Sequence, residues 1–279
     1  MQSGDHGQFD DDTRVDPAAG GGHTATVGGR WDGAPGVPNG GYLLAIALRA
    51  LAGEVELPDP VSVSAMYLRP GRHGAAHVGT AVRKAGRRIA FGTATLSQDA
   101  GEVVRVQAAF ADLARADAPA LVHERLTPPD LPAPEDCLDP TTLRADAAAH
   151  AENSVMGRLE LRMPELPGWA RGRPSGHPSA ALWVRMRDGR EPDPLSLVQF
   201  ADGMPPVVAD LGVWSTTVEL TVHVRARPAP GWLRARVDTR HVRHGFHEEE
   251  VELWDSTDTL VAQSRQLALV LPLDAIGGR

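Results

Sequence analysis

The sequence predicts an α+β protein in which one unit, a long apolar helix followed by an antiparallel sheet, is built twice. Three observations carry this. Tyr42 to Ala52 is apolar on every side except at Arg49, the pattern of a helix buried all round. From Val61 to Leu113 the chain runs in strand-length segments that alternate polar and apolar residues, with Gly- and Asp-containing turns between them. The same order recurs between Leu159 and Leu271. There Arg227-Pro228 answers Arg69-Pro70, and a turn at Asp255–Asp258 answers the hairpin at Asp99–Gly101. The separation from each proline to its last strand is preserved to within one residue, so this is a duplication at domain scale.

In chain order, residues 1–30 are rich in Gly and Asp, with one strand expected at His23–Gly29. Asn39-Gly40-Gly41 reads as a break or cap before the apolar helix, and Gly53 as its end. Strands follow at Val61–Pro70, His77–Ala85, Ile89–Gln98 and Glu102–Leu113, closing a first domain at residues 1–113. Residues 114–150 are rich in Pro and Asp without sustained periodicity and read as a linker crossing the surface. The second domain, 151–279, has strands at Leu159–Arg162 and Ala180–Arg187, a helix over Leu195–Gly212, and strands at Thr216–Pro228, Trp232–His241, Glu248–Trp254 and Leu260–Leu271. Strict alternation puts Thr216, Val218, Leu220, Val222 and Val224 on one face of their strand. Thr217, Glu219, Thr221, His223 and Arg225 fall on the other.

The 279 residues, 42% of them hydrophobic, allow a large core in one or two domains. A net charge of -8 lacks the basic footprint of a nucleic-acid binder. Cys137 is the only cysteine, so no intrachain disulfide is available and a reducing compartment fits. The start, MQSGDHGQFDDD, has no apolar signal-peptide region. No uncharged apolar run approaches the roughly 18 residues of a membrane span. A cytoplasmic protein is expected.

Asp202 is the first candidate for chemistry. It is a carboxylate beside Gly203 at a break in an otherwise apolar helix, where burial near Phe200 and Met204 would raise its pKa. The ordinary reading of such a residue is a helix-terminal Asp before a proline pair. Gln266 lies on an uncharged face with Ala262, Ser264, Ala268 and Val270, where its amide needs partners. Thr217 alone is an unremarked β-branched residue on a polar strand face. His241, His244 and His247 alternate faces and do not converge on a metal; they read as surface histidines near a turn. Trp183 and Trp254 read as core. No G-x-S-x-G elbow, P-loop or G-x-G-x-x-G occurs, and Cys137 in a proline-rich linker makes a poor nucleophile.

The segments PNGGYLLAIALRAL, YLRPG, QFADG, TTVELTVHVRARP and LVAQSRQLAL resemble those of the double-hotdog acyl-CoA thioesterases, type II, of the thioesterase-like superfamily, over roughly residues 25–272. The resemblance implies a tandem hotdog, two antiparallel sheets each wrapped around a long central helix. It implies hydrolysis of acyl-CoA to a free acid and CoA in fatty acid metabolism, with no cofactor beyond the CoA of the substrate. It also implies that Asp202, Thr217 and Gln266 share one site and orient a water for direct attack on the thioester. A backbone N–H near Gly203 or at a helix start would polarise the carbonyl.

Met204-Pro205-Pro206 after Asp202 departs from the family pattern, as does the extra Ala226, which leaves Thr216 as an alternative to Thr217. The hydratase-type hotdogs carry an Asp with a His a few residues on along the helix. Asp202 is followed by Gly-Met-Pro-Pro-Val instead, which argues against dehydration. Two other readings stand beside the acyl-CoA thioesterase: a thioesterase acting on acyl-carrier-protein thioesters, and a non-catalytic acyl-binding protein. Homo-oligomers are compatible with all three. Aligned on their turns, the halves set Asn39 opposite Asp202, Pro60 opposite Thr217 and Ala109 opposite Gln266. One active site per chain is therefore expected, with Asn39 idle.

Overall fold

The structure is a computed structural model and describes residues 7–115, 121–142 and 153–272. In the first half, helix α1 (Gln8–Asp12) precedes strands β1 (Val15–Pro17) and β2 (His23–Val27). A small ribbon of β3 (Asp32–Ala34) and β4 (Val37–Pro38) leads into helix α2 (Gly40–Ala52). Strands β5 (Asp59–Tyr67), β6 (Gly74–Lys84), β7 (Ala90–Gln98) and β8 (Gly101–Ala111) follow.

Helix α2 starts where the Asn39 side chain accepts from the Tyr42 N–H at 3.2 Å, and it ends at Gly53. From Gly41 to Leu51 every residue but Arg49 is buried. It lies against β6, β7 and β8. At Gly92 of β7 a Cβ would stand 2.6 Å from Leu51 Cδ1, so the glycine is what lets helix and sheet approach.

The N-terminal segment is more ordered than its composition suggested. Phe9 on α1 is buried beneath two guanidinium groups, Arg49 at 5.9 Å and Arg190 at 5.2 Å from its ring centroid. Both arginines also bind Asp10, Arg49 at 2.8 Å and Arg190 at 2.6 Å, so α1 ties the two halves together. A single apolar residue among aspartates carries no periodicity that could have announced this.

The second half contains α3 (Val155–Arg158), β9 (Leu159–Arg162), β10 (Ser179–Met186), α4 (Ser196–Asp202), β11 (Val213–Val224), β12 (Leu233–Asp238), β13 (Val242–Arg243), β14 (Phe246–Trp254) and β15 (Leu260–Pro272). The helix expected over Leu195–Gly212 is interrupted at the Asp202-Gly203 break that the sequence predicts. Helix α4 stops at Asp202, and a 3-10 turn occupies Val207–Leu211 after the Pro205-Pro206 pair, which has no N–H to donate.

The expectation of two sheets is also corrected. Among the described residues the main strands form one 13-stranded sheet, in the order β1-β2-β6-β7-β8-β5-β11-β15-β14-β12-β10-β9 with β13 on β14. The halves join through β5 and β11, antiparallel, with Ser64 directly opposite Thr221 and their hydroxyls 2.5 Å apart. Part of the expected surface linker packs down as well. Leu138 exchanges backbone hydrogen bonds with Met163, and Cys137 is buried with its thiol toward the Pro132 carbonyl. Among the described residues no helix is long and apolar enough to cross a membrane.

Candidate active site

The end of α4 meets the start of α2, so Asp202 of the second half lies against the first. Its Oδ2 accepts from the Gly41 N–H at 2.5 Å and from Asn39 Nδ2 at 3.0 Å. Asn39 also donates to the Asp202 carbonyl at 3.2 Å. The two glycines make room. A Cβ at Gly40 would stand 3.0 Å from Asp202 Oδ2, and one at Gly41 would stand 3.0 Å from Asp202 Cβ. The N-terminus of α2 also presents its positive end to the carboxylate. These donors favour the ionised form, but burial outweighs them and pushes Asp202 up to about 6. The Thr217 side chain lies close enough to Asp202 to bear on its ionisation. Asp202 nevertheless keeps some accessible surface.

Asn39 is therefore not idle: it belongs to this corner. It is held in turn by Gln199, whose Nε2 donates to Asn39 Oδ1 at 2.9 Å.

Thr217 reaches the site through a β-bulge. It pairs with Ala268, but Glu219 pairs with Leu267, leaving Val218 as an extra residue. The bulge breaks the strict alternation that placed Thr217 with Glu219 and turns it to the inner face, beside buried Gln266 and Ala268. Its hydroxyl donates to Gln266 Oε1 at 2.7 Å. Thr216 is exposed and pairs with Leu269 on the outer face.

The first half carries the same bulge, at Val61 between Pro60 and Ser62. Thr217 thus corresponds to Pro60, as the turns suggested. Gln266, opposite Leu220, corresponds to Ala108, opposite Val63, and not to Ala109.

Sequence reasoning missed Glu249. This buried carboxylate accepts from Gln266 Nε2 at 2.8 Å and from the Val207 N–H at 2.8 Å. Burial pushes it up to about 7, and the Asp202 charge adds to the shift. A signal was present: Glu249 alternates in phase with Val251 and Leu253, which are buried. Tyr67 was missed too. Its hydroxyl is buried without a hydrogen-bond partner among the described residues, and burial followed by the Asp202 and Glu219 charges raises its pKa well above the usual value.

Gly203 is packed rather than open: a Cβ there would stand 2.5 Å from Leu159 Cδ1 and 2.8 Å from the Gln199 carbonyl oxygen. His247 is buried, against the expectation of a surface histidine, with Nδ1 near Thr239 Oγ1 and the Glu248 carbonyl. The register of β14 and β15 sets it on the inner face opposite Ala268. His241 and His244 are exposed. Among the described residues no group of three His, Cys, Asp or Glu side chains could hold a metal ion.

The fold defines a hotdog protein, and comparison with known proteins gives its family. Residues 27–111 match the acyl-CoA thioesterase N-terminal domain, and residues 134–270 match the acyl-CoA thioesterase C-terminal domain. The chain belongs to this acyl-CoA thioesterase family and is a thioester hydrolase. It is similar to a candidate thioesterase II of Thermobifida fusca, at 31% identity and a TM-score of 0.82, over 94% of this chain and 97% of that one. It shares its fold with a hot dog protein of unknown function from Alicyclobacillus acidocaldarius, at 20% identity and a TM-score of 0.81, over 95% and 98% of the two chains. An uncharacterized Mycobacterium tuberculosis protein is 28% identical over 83% of this chain and 85% of its own length.

Proposed function

We propose that this protein hydrolyses acyl-CoA to a free carboxylic acid and CoA by direct attack of water on the thioester carbonyl. The observation that carries the reading is the meeting of Asp202, Thr217 and Gln266, from three different elements, in one buried corner. Asp202, pushed up to about 6, is a base suited to neutral pH. As water attacks, its proton passes to Asp202. Thr217 has its own hydrogen committed to Gln266 Oε1, so its oxygen accepts the water's second hydrogen. The tetrahedral oxyanion then calls for a donor. The Tyr67 hydroxyl, buried and without a partner among the described residues, is the group assigned to it. On collapse the C–S bond breaks, and CoA leaves as a thiolate that takes the proton from Asp202.

This route forms no acyl-enzyme and uses no cofactor beyond the CoA of the substrate. Burial raises the Cys137 thiol, which makes it a poorer nucleophile at neutral pH. A free-thiol release assay over short, medium and long acyl-CoAs tests the reading, with acyl-carrier-protein thioesters in parallel. Turnover of acyl-CoA that disappears in Asp202→Asn is expected. Turnover of carrier-bound acyl groups alone would replace CoA as the substrate handle. Binding without release in every case would make the protein an acyl-binding module.

A further inference from the structure

Glu249 takes no part in the water-attack route, yet it sits directly behind it. It is 4% exposed, and both of its oxygens are used: Oε2 by the Val207 N–H and Oε1 by Gln266 Nε2. Neither partner is a cation. A buried carboxylate held only by neutral donors is costly, and an apolar residue would suit a core position better. What a carboxylate does that an apolar residue or an amide cannot is accept at both oxygens and donate at neither.

We propose that Glu249 is a positioning residue of this site: its carboxylate turns the Gln266 amide so that the nitrogen faces Glu249 and the oxygen faces Thr217, and thereby sets the direction of the Thr217 hydroxyl. The inference rests on the hydrolytic reading above. The hydrogen bonds then run one way, from Thr217 to Gln266 to Glu249. With that polarity the Thr217 oxygen offers lone pairs to water, and the Asp202 carboxylate stays free to accept. An amide at 249 could present either atom, and the chain could reverse. Gln266 would then donate to Thr217, and the threonine hydrogen would fall on Asp202, occupying the base.

The test is a double-mutant cycle of Glu249→Gln with Gln266→Ala, read in kcat, KM and melting temperature. Glu249→Gln should lower kcat roughly 10- to 100-fold with KM within about twofold and the fold intact. In the Gln266→Ala background the same substitution should change kcat by less than about twofold, because its route of action is gone. An unchanged kcat in the single variant overturns the proposal, as does an equal loss in both backgrounds.

A second measurement needs no turnover and therefore separates failure of this inference from failure of the hydrolytic reading. The side-chain amide resonances of Gln266, identified by their loss in Gln266→Ala, should shift with pH in the wild-type protein as Glu249 titrates. The other titratable groups around this corner are Asp202 from α4, His247 on β14, Tyr67 on β5 and Glu219 on β11, so Asp202→Asn, His247→Gln, Tyr67→Phe and Glu219→Gln serve as controls. A Gln266 amide that does not respond to Glu249 would overturn the positioning role even in an active enzyme.

Discussion

Asp202 is held by opposing forces, and their balance sets the pH behaviour. Its folded pKa of about 6 lies above its ordinary value of 3.8 because burial outweighs the Gly41 and Asn39 donors. A carboxyl shifted upward contributes stability below pH 4, and that contribution is lost as pH rises through 6. At pH 8 the ionised group therefore costs stability. Asp202→Asn should hold or raise the melting temperature there while cutting kcat by about 10²–10⁴-fold. The same ionisation should appear in activity, since only the carboxylate accepts a proton. A profile of kcat/KM should fall on the acid side, with its limb between about pH 6 and 7 reporting Asp202 and Glu249 as a coupled pair. A flat profile from pH 5 to 8 would rule Asp202 out as the base.

Two strand and helix features place that residue in its setting. The Gly40-Gly41 pair lets the start of α2 close on the end of α4, so a helix terminus from one half serves a carboxylate from the other. The bulge at Val218 decides which threonine of Thr216-Thr217 faces inward. Thr217→Val keeps the β-branch and removes the hydroxyl. It should lower kcat by at least about tenfold, the loss of one well-placed hydrogen bond to the reacting water. Thr216→Val should stay within about twofold. Parallel kinetics on the two variants check this, and the reverse ranking would mean that the inner face has been assigned to the wrong residue.

At the scale of the molecule, the duplication has produced one body. The sheet runs unbroken through β5 and β11, α1 holds both halves through Asp10, and the Asp202 corner takes Asn39 and Gly41 from the first half. A half expressed alone would expose β5 or β11 as a long unpaired edge. It would also lack one side of the corner. Residues 151–279 expressed without the first half should show no thioester turnover, and circular dichroism should show lost or aggregated sheet. Activity within about tenfold of the full chain would show that the first-half groups are dispensable. The register sets Pro60 and Ala108 of the first half where the second half has Thr217 and Gln266.

The sequence by itself determined what depends on local periodicity and composition. The all-apolar run announced α2, the alternating runs announced β5–β8, β11, β12, β14 and β15, and the matched turns announced the duplication. A carboxylate at a break in an apolar helix, and a glutamine on an uncharged strand face, pointed to Asp202 and Gln266. Only the tertiary structure decided the rest, because the deciding contacts join residues distant in the chain. A bulge is a relation between two strands, so alternation within β11 could not show Thr217 turning inward. Asn39 reads as a helix cap until α4 is packed against it. Glu249 is in phase with Val251 and Leu253 along its strand, but its partner becomes visible only when β15 brings Gln266 beside it.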